Sequence, residues 1–323
     1  MNFNFNSINV DKQKETERII KLMRDEVSKT LKRRGAVVGI SGGIDSSVVL
    51  ALCVKAFGNK NVFALMLPEK DSSPESIRLA KMLADKFNVN YAIEDISPAL
   101  EGFGCYRRRD EAVRSVFPEY NSNYKMKILL PREDGTNKLN IFSLTIISPE
   151  GIEKTERLPL KEYLQIVAAS NFKQRSRMAM LYYYAESMNY AVIGTGNKNE
   201  HMQGFFVKYG DGGADLKPIA HLFKSQVYQL ADYLEIPDEI KNRIPTTDTY
   251  SAEQTQEEFF FKVPFRILDR VWFGWENGYS FYEIAKALEL SENQVEAIVK
   301  DIQQKIRTTE YLRQQPIEFS SNI

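Results

Sequence analysis

The sequence predicts an α/β protein built on a doubly wound parallel sheet with helices on both faces. Three observations lead to this fold class: short apolar segments alternate with helical segments, the strand segments show no polar alternation, and a glycine-rich turn joins the first strand to its helix. A strand that is apolar throughout is typical of a sheet covered on both faces. The chain has 323 residues, of which 43 % are hydrophobic, so it is long enough for a large core.

The first elements follow this alternation in order. Apolar residues recur at helical spacing within 12–32, which predicts an amphipathic helix. The next segments predict a strand at 36–40, a helix at 44–57, a strand at 62–67, a helix at 74–87 with proline in its first turn, and a strand at 90–96. These elements form two successive βα units, and a third strand follows them.

The alternation stops after residue 101 and resumes beyond residue 160. The region of about 102–160 contains Arg107–Arg109, for which we expect a solvated loop, and an apolar run at 141–147 that predicts an inserted hairpin. The rhythm resumes with a helix at 164–188, a strand at 191–194 and a helix at 224–234. From about 246–323 the sequence predicts a helical C-terminal region that includes helices at 281–288 and 291–307, within a single domain over 1–323.

Composition excludes several classes of function. Basic and acidic residues both number 43, so the chain has no general basic field with which to hold nucleic acid or an anionic membrane. Cys53 and Cys105 form neither a disulfide framework nor a zinc pattern. The sequence has no apolar run of membrane-spanning length, and its first residues lack a signal-peptide pattern. We therefore expect a soluble, cytoplasmic protein.

The turn after the first strand is the strongest candidate for an anion site. Its glycines permit positive φ and close backbone approach, and the amides at the start of the following helix attract phosphate. No lysine follows the glycines, so the turn is not the loop that grips a β,γ-phosphate, and a departing pyrophosphate fits it better. The predicted nucleotide contacts here are Gly39, Ile40, Ser41, Gly42, Gly43, Ile44, Asp45 and Ser46.

Asp45 adds a negative charge to this turn. A carboxylate beside phosphate is repelled unless a divalent cation lies between them, and Mg²⁺ prefers such oxygen ligands. A plain glycine-rich turn between a strand and a helix is the simpler interpretation of two glycines alone. The full pattern SGGxDS directly after a strand is more specific, and it favours nucleotide binding with Mg²⁺.

Four segments resemble a known family. The motif at 41–47, SGGIDSS, is similar to the signature of the N-type ATP pyrophosphatases, which form an adenylate and release pyrophosphate. The segments at 171–178, 194–200 and 204–219 resemble those of ammonia-dependent NAD synthetase, in the same order and spacing. The resemblance implies an adenine nucleotide alpha hydrolase-like fold, and it covers most of the chain from Ile19 to about Pro316.

The resemblance implies a role for particular residues. Asp45 and Glu200 would hold Mg²⁺ between phosphates, and Lys224 would neutralise the charge that builds on the α-phosphate and the departing pyrophosphate. The remaining implied contacts are with the nucleotide, through Thr195 and Thr246, and with the dinucleotide substrate, through Arg175, Lys208 and Asp215.

The implied reaction converts deamido-NAD (nicotinic acid adenine dinucleotide) to NAD, with ATP and Mg²⁺. An acyl-adenylate forms with release of pyrophosphate, and ammonia then displaces AMP. The sequence has no Cys/His arrangement suggesting a glutaminase, so free ammonia or a separate donor protein is the expected nitrogen source. The resemblance also implies a homodimer, because the family binds its dinucleotide across a subunit interface.

Several departures from the family affect the acceptor half of the site. The family's closing His-Lys-Arg run is represented by Tyr311, Leu312 and Arg313, so that only the arginine is kept. Gln256 and Glu257 stand where the family has an acidic pair, and the region of about 102–160 is longer than expected. These differences leave open a related ATP pyrophosphatase-type ligase that amidates a different carboxylate.

A second, more distant alternative is a helix-turn-helix DNA-binding protein. The helices predicted at 281–288 and 291–307 imitate that motif. Glu292 and Glu296 would lie on the surface that enters the major groove, where their charges would oppose the phosphates. We therefore expect no nucleic-acid partner, and a helical pair at this place is also a feature of the family.

Overall fold

The computed structural model describes residues 2–129, 142–246, 250–252 and 254–319. The strands are β1 (Ala36–Gly39), β2 (Val62–Met66), β3 (Asn90–Ile93), β4 (Lys125–Leu129), β5 (Ser143–Ile147), β6 (Glu153–Arg157) and β7 (Ala191–Ile193). The helices are α1 (Lys12–Asp25), α2 (Ile44–Phe57), α3 (Pro74–Lys86), α4 (Ser97–Gly102), α5 (Cys105–Val116), α6 (Leu160–Met188), α7 (Lys198–Gln203), α8 (Lys224–Tyr233), α9 (Asp238–Lys241), α10 (Phe265–Glu276), α11 (Phe281–Leu288), α12 (Glu292–Thr308) and α13 (Glu310–Arg313).

The main sheet is parallel and has the strand order β3-β2-β1-β7. The chain moves outward from β1 through β2 to β3, and then returns to the other side of β1 to form β7. The strand order therefore reverses at β1. In open α/β sheets a ligand site lies outside the carboxyl ends of the strands at such a switch point.

Both faces of this sheet are covered. Val38 of β1 packs into a core with Ile19 of α1, Leu79 of α3 and Val227 of α8. Val37, the neighbouring residue, packs into a second core on the opposite face, which includes residues of α4, α5 and α6. Successive side chains of a strand point to opposite faces, so an apolar strand without alternation requires cover on both faces, and the predicted fold class is confirmed.

The region of about 102–160 contains more than the predicted hairpin. It begins with the end of α4 and the helix α5, and its three strands form an antiparallel sheet in the order β4-β5-β6. Phe117, Met126 and Leu144 make a separate core with Ile166 of α6 and with Tyr250. The sheet is therefore anchored to the main fold by the long helix α6, while the connection between β4 and β5 lies outside the described residues.

The prediction of a solvated loop at Arg107–Arg109 is wrong. All three arginines lie on α5, and Arg109 is buried with only 5 % of its side chain exposed. Arg109 pairs with Asp71 at 2.5 Å, and Lys173 of α6 donates to the same carboxylate at 2.8 Å. Sequence reasoning missed this because the acidic partner follows β2, far from the arginine in the chain.

This buried cluster leads to a stability prediction. We expect Arg109→Met to lower the free energy of unfolding by about 2–4 kcal/mol, because it removes one of the two cations that pair with the buried carboxylate of Asp71. Arg107→Met is the matched control, since the Arg107 side chain is 63 % exposed and its ion pair with Glu111 lies on the surface. Urea unfolding of both variants measures the difference, and equal losses would contradict a special role for Arg109.

The C-terminal helices pack on one another and on the N-terminal segment. Ile284 of α11 and Val295 of α12 share a core with Val271 of α10 and with Phe3. The helices predicted at 281–288 and 291–307 correspond to α11 and α12. Among the helices of the described residues, none combines the length and the apolar character that a membrane span requires.

Candidate active site

A cavity of about 870 Å³ opens at the carboxyl ends of β1, β2 and β7. It is lined by the turn after β1, by one side of α6, by the segment after β7, and near the C-terminus by Thr309 and by Tyr311 and Leu312 of α13. This is the switch point of the parallel sheet. The sequence-predicted residues that line it are Gly39, Ile40, Ser41, Gly43, Ile44, Asp45, Ser46, Arg175, Thr195, Glu200, Lys208, Lys224 and Thr246.

Gly42 is placed in the turn but does not line the cavity. Its φ is 71°, and a Cβ there would lie 2.6 Å from the Ser76 carbonyl oxygen of α3. Glycine is therefore required for two reasons, the left-handed backbone and the close approach of α3. Gly42 shapes the turn for its neighbours, and its own contact with the nucleotide stays a prediction.

The amides of the turn are available to a phosphate. Gly43, the residue before α2, has no side chain with which to cap the helix, so the first amides of α2 lack a side-chain acceptor from it. The Ser41 amide donates to the Ser46 hydroxyl at 3.3 Å, and the Gly43 amide donates to the Ser41 hydroxyl at 3.4 Å. Both bonds are long, so an anion can replace them at small cost.

Three charged side chains meet beside this turn. Lys224, at the start of α8, is 1 % exposed, and its Nζ forms an ion pair with Asp45 Oδ2. Asn197 joins the two carboxylates, because its Nδ2 donates to Asp45 Oδ1 at 3.2 Å and its backbone amide donates to Glu200 Oε2 at 3.1 Å. Asp45 and Glu200, which lie 155 positions apart in the sequence, are thus held in one group by the ends of β1 and β7.

The electrostatics of this group are unusual. Burial, followed by the nearby charge of Asp45, raises the pKa of Glu200 to about 8. Burial alone would lower the pKa of Lys224, but the charges of Asp45 and Glu200 outweigh it and raise that pKa above its ordinary value. One ammonium therefore serves two carboxyl groups, and an additional cation would favour the ionised form of Glu200.

The raised pKa of Glu200 predicts a pH-dependent stability. Between the ordinary value of 4.5 and about 8, the folded chain holds a proton on Glu200 that the unfolded chain releases, so stability falls as the pH rises through this window. We expect the free energy of unfolding of Glu200→Gln, relative to that of the unsubstituted protein, to increase progressively from pH 5 to pH 8. The measurement is urea unfolding without nucleotide or metal. Glu186→Gln, on the exposed side of α6, is the control, and parallel curves for Glu200→Gln would contradict the expected shift.

The donor set fits a magnesium ion. Two hard carboxylates face one cavity, and Mg²⁺ in nucleotide sites takes one or two carboxylates together with phosphate oxygens and waters. Across the described ranges, no group of three or more His, Cys, Asp or Glu side chains is arranged to hold a metal without such additional ligands. Asp45 and Glu200 therefore fit a metal that arrives with a nucleotide.

Thr246 is held near Glu200 by a second chain segment. It forms an isolated antiparallel bridge with Thr255, and the Gln256 amide donates to the Pro245 carbonyl oxygen at 2.9 Å. The Gln256 side-chain Nε2 donates to Glu200 Oε1 at 3.4 Å. An amide at position 256 thus donates to the carboxylate, where a third carboxylate would repel it.

The predicted acceptor residues are placed differently from one another. Arg175 of α6 and Lys208 both line the cavity, and Arg175 Nε donates to the Lys208 carbonyl oxygen at 3.3 Å. Asp215 does not line it: its carboxylate accepts from the Val192 amide at 2.8 Å and from the Tyr182 hydroxyl at 3.1 Å. The structure therefore brings Arg175 and Lys208 together, and the proposed substrate contact of Asp215 stays a prediction.

The C-terminal arginine has protein partners. Arg313 donates to the Met202 carbonyl oxygen at 2.8 Å and to the Ile306 carbonyl oxygen at 2.6 Å, which ties the end of α12 to the end of α7. Tyr311 and Leu312 line the cavity, whereas Arg313 does not. In this chain the retained arginine therefore supports the helix that carries Glu200.

Sequence reasoning gave no role to Asn197, Asn199 or Arg243. Asn197 and Asn199 are fully buried, and Arg243 lines the cavity, where it donates to the Ser76 hydroxyl at 2.9 Å. The two asparagines lie within the segment 194–200 that the sequence singled out, and that position was the available signal. Arg243 lies outside every recognised motif, so only its place in the cavity and its hydrogen bond to Ser76 of α3 reveal it.

Comparison with known proteins identifies similar sequences over nearly the whole chain. Residues 15–141 and 133–316 match the family model described as NAD synthase. The chain is 48 % identical over 314 residues to the NH(3)-dependent NAD(+) synthetase of Rhizobium meliloti (strain 1021), covering 97 % of this chain and 94 % of that protein. It is also 48 % identical over 308 residues to the enzyme of the same name from Mesorhizobium japonicum, covering 95 % and 97 %.

Solved structures share the fold. The NMN synthetase of Francisella tularensis aligns with a TM-score of 0.66 at 23 % identity, covering 97 % of this chain and 100 % of that one. The NH3-dependent NAD synthetase of Campylobacter jejuni, in complex with the nitrate ion, aligns with a TM-score of 0.62 at 23 % identity, covering 96 % and 100 %. At this level of identity the two structures establish the fold of the chain.

Proposed function

We propose that this chain, which belongs to the NAD synthase family, catalyses the ATP-dependent amidation of deamido-NAD to NAD with ammonia. The observation that carries the proposal is the group of Asp45, Glu200 and Lys224 beside a glycine-rich anion turn, in a cavity of about 870 Å³. Family membership implies the use of ATP. The proteins at 48 % identity that bear the name NH(3)-dependent NAD(+) synthetase support the same substrate class.

The first step joins the two substrates. A nicotinate carboxylate oxygen attacks the α-phosphorus of ATP, the bond to the β-phosphate oxygen breaks, and pyrophosphate leaves. The amides of the turn after β1 and the ammonium of Lys224 would stabilise the charge on the leaving pyrophosphate. Holding the carboxylate and the α-phosphate in line supplies much of the remaining acceleration.

The proposed metal ligands are Asp45 and Glu200. Mg²⁺ bound to them would withdraw charge from the phosphate oxygens. Its charge would also offset the burial and the charge of Asp45 that together raise the pKa of Glu200, so that carboxyl group would release its proton when nucleotide and metal bind. Thr195 and Thr246 would donate hydrogen bonds to the nucleotide. The amides of Ser41 and Gly43 would exchange their long bonds to the Ser46 and Ser41 hydroxyls for bonds to phosphate oxygens.

The second step uses ammonia. The nitrogen lone pair attacks the acyl carbon of the adenylate, the bond to AMP breaks, and one proton of the nitrogen is released. Arg175 and Lys208 would hold the dinucleotide during this step, since both line the cavity beyond Glu200. The overall change converts deamido-NAD, ATP and ammonia to NAD, AMP, pyrophosphate and a proton. Free ammonia or a separate donor protein would supply the nitrogen.

The test is a direct assay. The purified protein is mixed with ATP, MgCl₂, ammonium chloride and deamido-NAD, and we expect AMP and NAD to appear in equal amounts. Omission of each component in turn should abolish both products, and Mg²⁺ removal with EDTA should do the same. AMP formed only with another carboxylate, such as nicotinate mononucleotide, would transfer the proposal to a ligase with a different acceptor.

We also propose a cytoplasmic homodimer. The Phe103 and Phe172 rings are in tilted contact, with centroids 5.0 Å apart, on the surface formed by α4 and α6, and Leu164 and Tyr183 are also exposed along α6. A second copy would cover these apolar side chains. Analytical ultracentrifugation should give twice the chain mass, and a stable monomer at micromolar concentration would contradict the dimer.

The proposed location in the cytoplasm is supported by the free cysteines Cys53 and Cys105 and by the need for ATP, and cell fractionation would test it.

A further inference from the structure

Asp269 is a buried carboxylate that the proposed reaction does not use. It lies on α10, is 0 % exposed and does not line the cavity. Its Oδ2 accepts a hydrogen bond from the Ser225 amide at 2.7 Å, and its Oδ1 accepts from Asn199 Nδ2 at 2.6 Å. A carboxylate without contact to solvent is costly unless such donors compensate it, so this arrangement requires an explanation.

Asn199 continues the connection toward the site. It is also 0 % exposed, and its Oδ1 accepts from the Lys224 amide at 3.0 Å. Asn199 precedes Glu200 on α7, whereas Lys224 and Ser225 begin α8. One chain of three hydrogen bonds therefore joins α10 to the two helices that carry Glu200 and Lys224.

These bonds replace the missing cap of α8. The residue before the helix is Phe223, whose side chain has no acceptor, so the first amides of α8 need partners from elsewhere. Asn199 accepts from the Lys224 amide and Asp269 accepts from the Ser225 amide. The cap of α8 is thus built from α7 and α10, and the position of α8 depends on these two helices.

The fixed geometry bears on the charged group in the cavity. Lys224 pairs with Asp45 through its side chain and is anchored to Asn199 through its backbone. A displacement of about 1 Å in such a site costs about 100-fold in rate. A shift of α8 relative to α7 would move the ammonium away from Asp45 and from the phosphates that we propose it neutralises.

We propose that Asp269 and Asn199 are positioning residues that fix Lys224 relative to Glu200 during catalysis. The expected effect on kcat rests on the proposed function. The expected effect on the position of α8 rests on the three hydrogen bonds alone. Asp269 does not touch the substrate, and it acts through Asn199 and the first turn of α8. Burial raises the pKa of Asp269 to about 6, so at pH 8 it is an ionised acceptor.

A reciprocal exchange of the two side chains tests the proposal. In Asp269→Asn, two amide side chains face each other, and one of the three hydrogen bonds is lost whichever way Asn199 is turned. In the double variant Asp269→Asn with Asn199→Asp, the carboxylate at position 199 accepts from the Lys224 backbone amide and from the side-chain NH₂ group at position 269. The side-chain oxygen at position 269 accepts from the Ser225 backbone amide. All three hydrogen bonds are thus restored with the two residue types exchanged.

The expected result is a loss and a recovery of kcat. At pH 8 we expect Asp269→Asn to lower kcat at least about tenfold with less than about a threefold change in the KM for ATP, because the ammonium acts on charge that develops in the transition state. The double variant should regain kcat to within about threefold of the unchanged protein. Asp232→Asn is the control, on the same helix α8 with 59 % of its side chain exposed.

Amide hydrogen exchange gives a readout that does not depend on activity. Exchange at the start of α8 should accelerate in Asp269→Asn and return to normal in the double variant. If the protein without substitutions makes no NAD, the proposed function is overturned. The exchange pattern would still show whether the three hydrogen bonds fix the start of α8. An active protein whose Asp269→Asn variant keeps its kcat would overturn the positioning role. If the single variant does not fold, a folded double variant without recovered kcat would overturn it equally.

Discussion

Asp45→Asn is expected to abolish most turnover while the protein remains folded. The substitution keeps the shape of the side chain, but it removes the charge that pairs with Lys224 and that we propose to bind Mg²⁺. Loss of one strong electrostatic contact to a transition state typically lowers kcat by about 10²- to 10³-fold, and we expect a loss of at least this size. The measurement is the initial rate of NAD and AMP formation at saturating ATP, deamido-NAD and ammonium.

The control for this experiment is Asp85→Asn, an exposed position on α3. It should keep full activity, and thermal unfolding of both variants should remain cooperative. Glu200→Gln should lose turnover in the same way, because it removes the second proposed ligand. Unchanged turnover in both Asp45→Asn and Glu200→Gln would remove the proposed metal site, whatever the fate of the rest of the cavity.

Lys224→Met is expected to lower turnover about as much as Asp45→Asn, because it removes the positive charge of the same ion pair. Methionine fills similar volume without an ammonium, so the half-buried carboxylate of Asp45 loses its ionic partner and the departing pyrophosphate loses a neutralising group. We expect kcat to fall by about 10²- to 10³-fold. Asp45 and Glu200 would then share a more negative environment, so the variant should bind Mg²⁺ more tightly and need less of it to reach its remaining activity.

Lys86→Met is the matched control, since this lysine is exposed at the end of α3 and lies outside the cavity. Lys224→Arg separates charge from shape, because the planar guanidinium does not reproduce a compact ammonium in an enclosed position. We expect Lys224→Arg to recover only a small part of the lost rate. A Lys224→Met variant with normal kcat would contradict the role that we assign to the ammonium.

Much of the fold could be predicted from local pattern. The apolar strands at 36–40 and 62–67 require a sheet covered on both faces, and the structure places β1 and β2 there. The helix predicted at 44–57 coincides with α2, because its start follows the glycine pair and its end precedes Gly58. These elements are determined by hydrophobicity and by glycine, both of which act over a few residues.

The region of about 102–160 was predicted less well, for a physical reason. Helix α5 is rich in arginine, and its apolar face becomes evident only where Ala112 and Val113 pack against the small sheet. The burial of Arg109 depends on Asp71 and Lys173, which come from two other parts of the chain. A charged residue is solvated unless distant partners compensate it, and no local pattern identifies those partners.

The sequence by itself determined the parallel sheet and the glycine-rich turn that carries Asp45, because hydrophobic period, glycine and a short motif are local properties; Glu200 and Lys224 were identified through the resemblance to the family. The tertiary structure alone decided that Asn197 joins Asp45 to Glu200, that Arg313 supports α7 and that Asp269 caps α8. Apart from the short-range bond between Asn197 and Glu200, each of these contacts joins residues that the chain separates widely. Their hydrogen-bond partners are selected by the packing of helices, and packing is a property of the folded molecule.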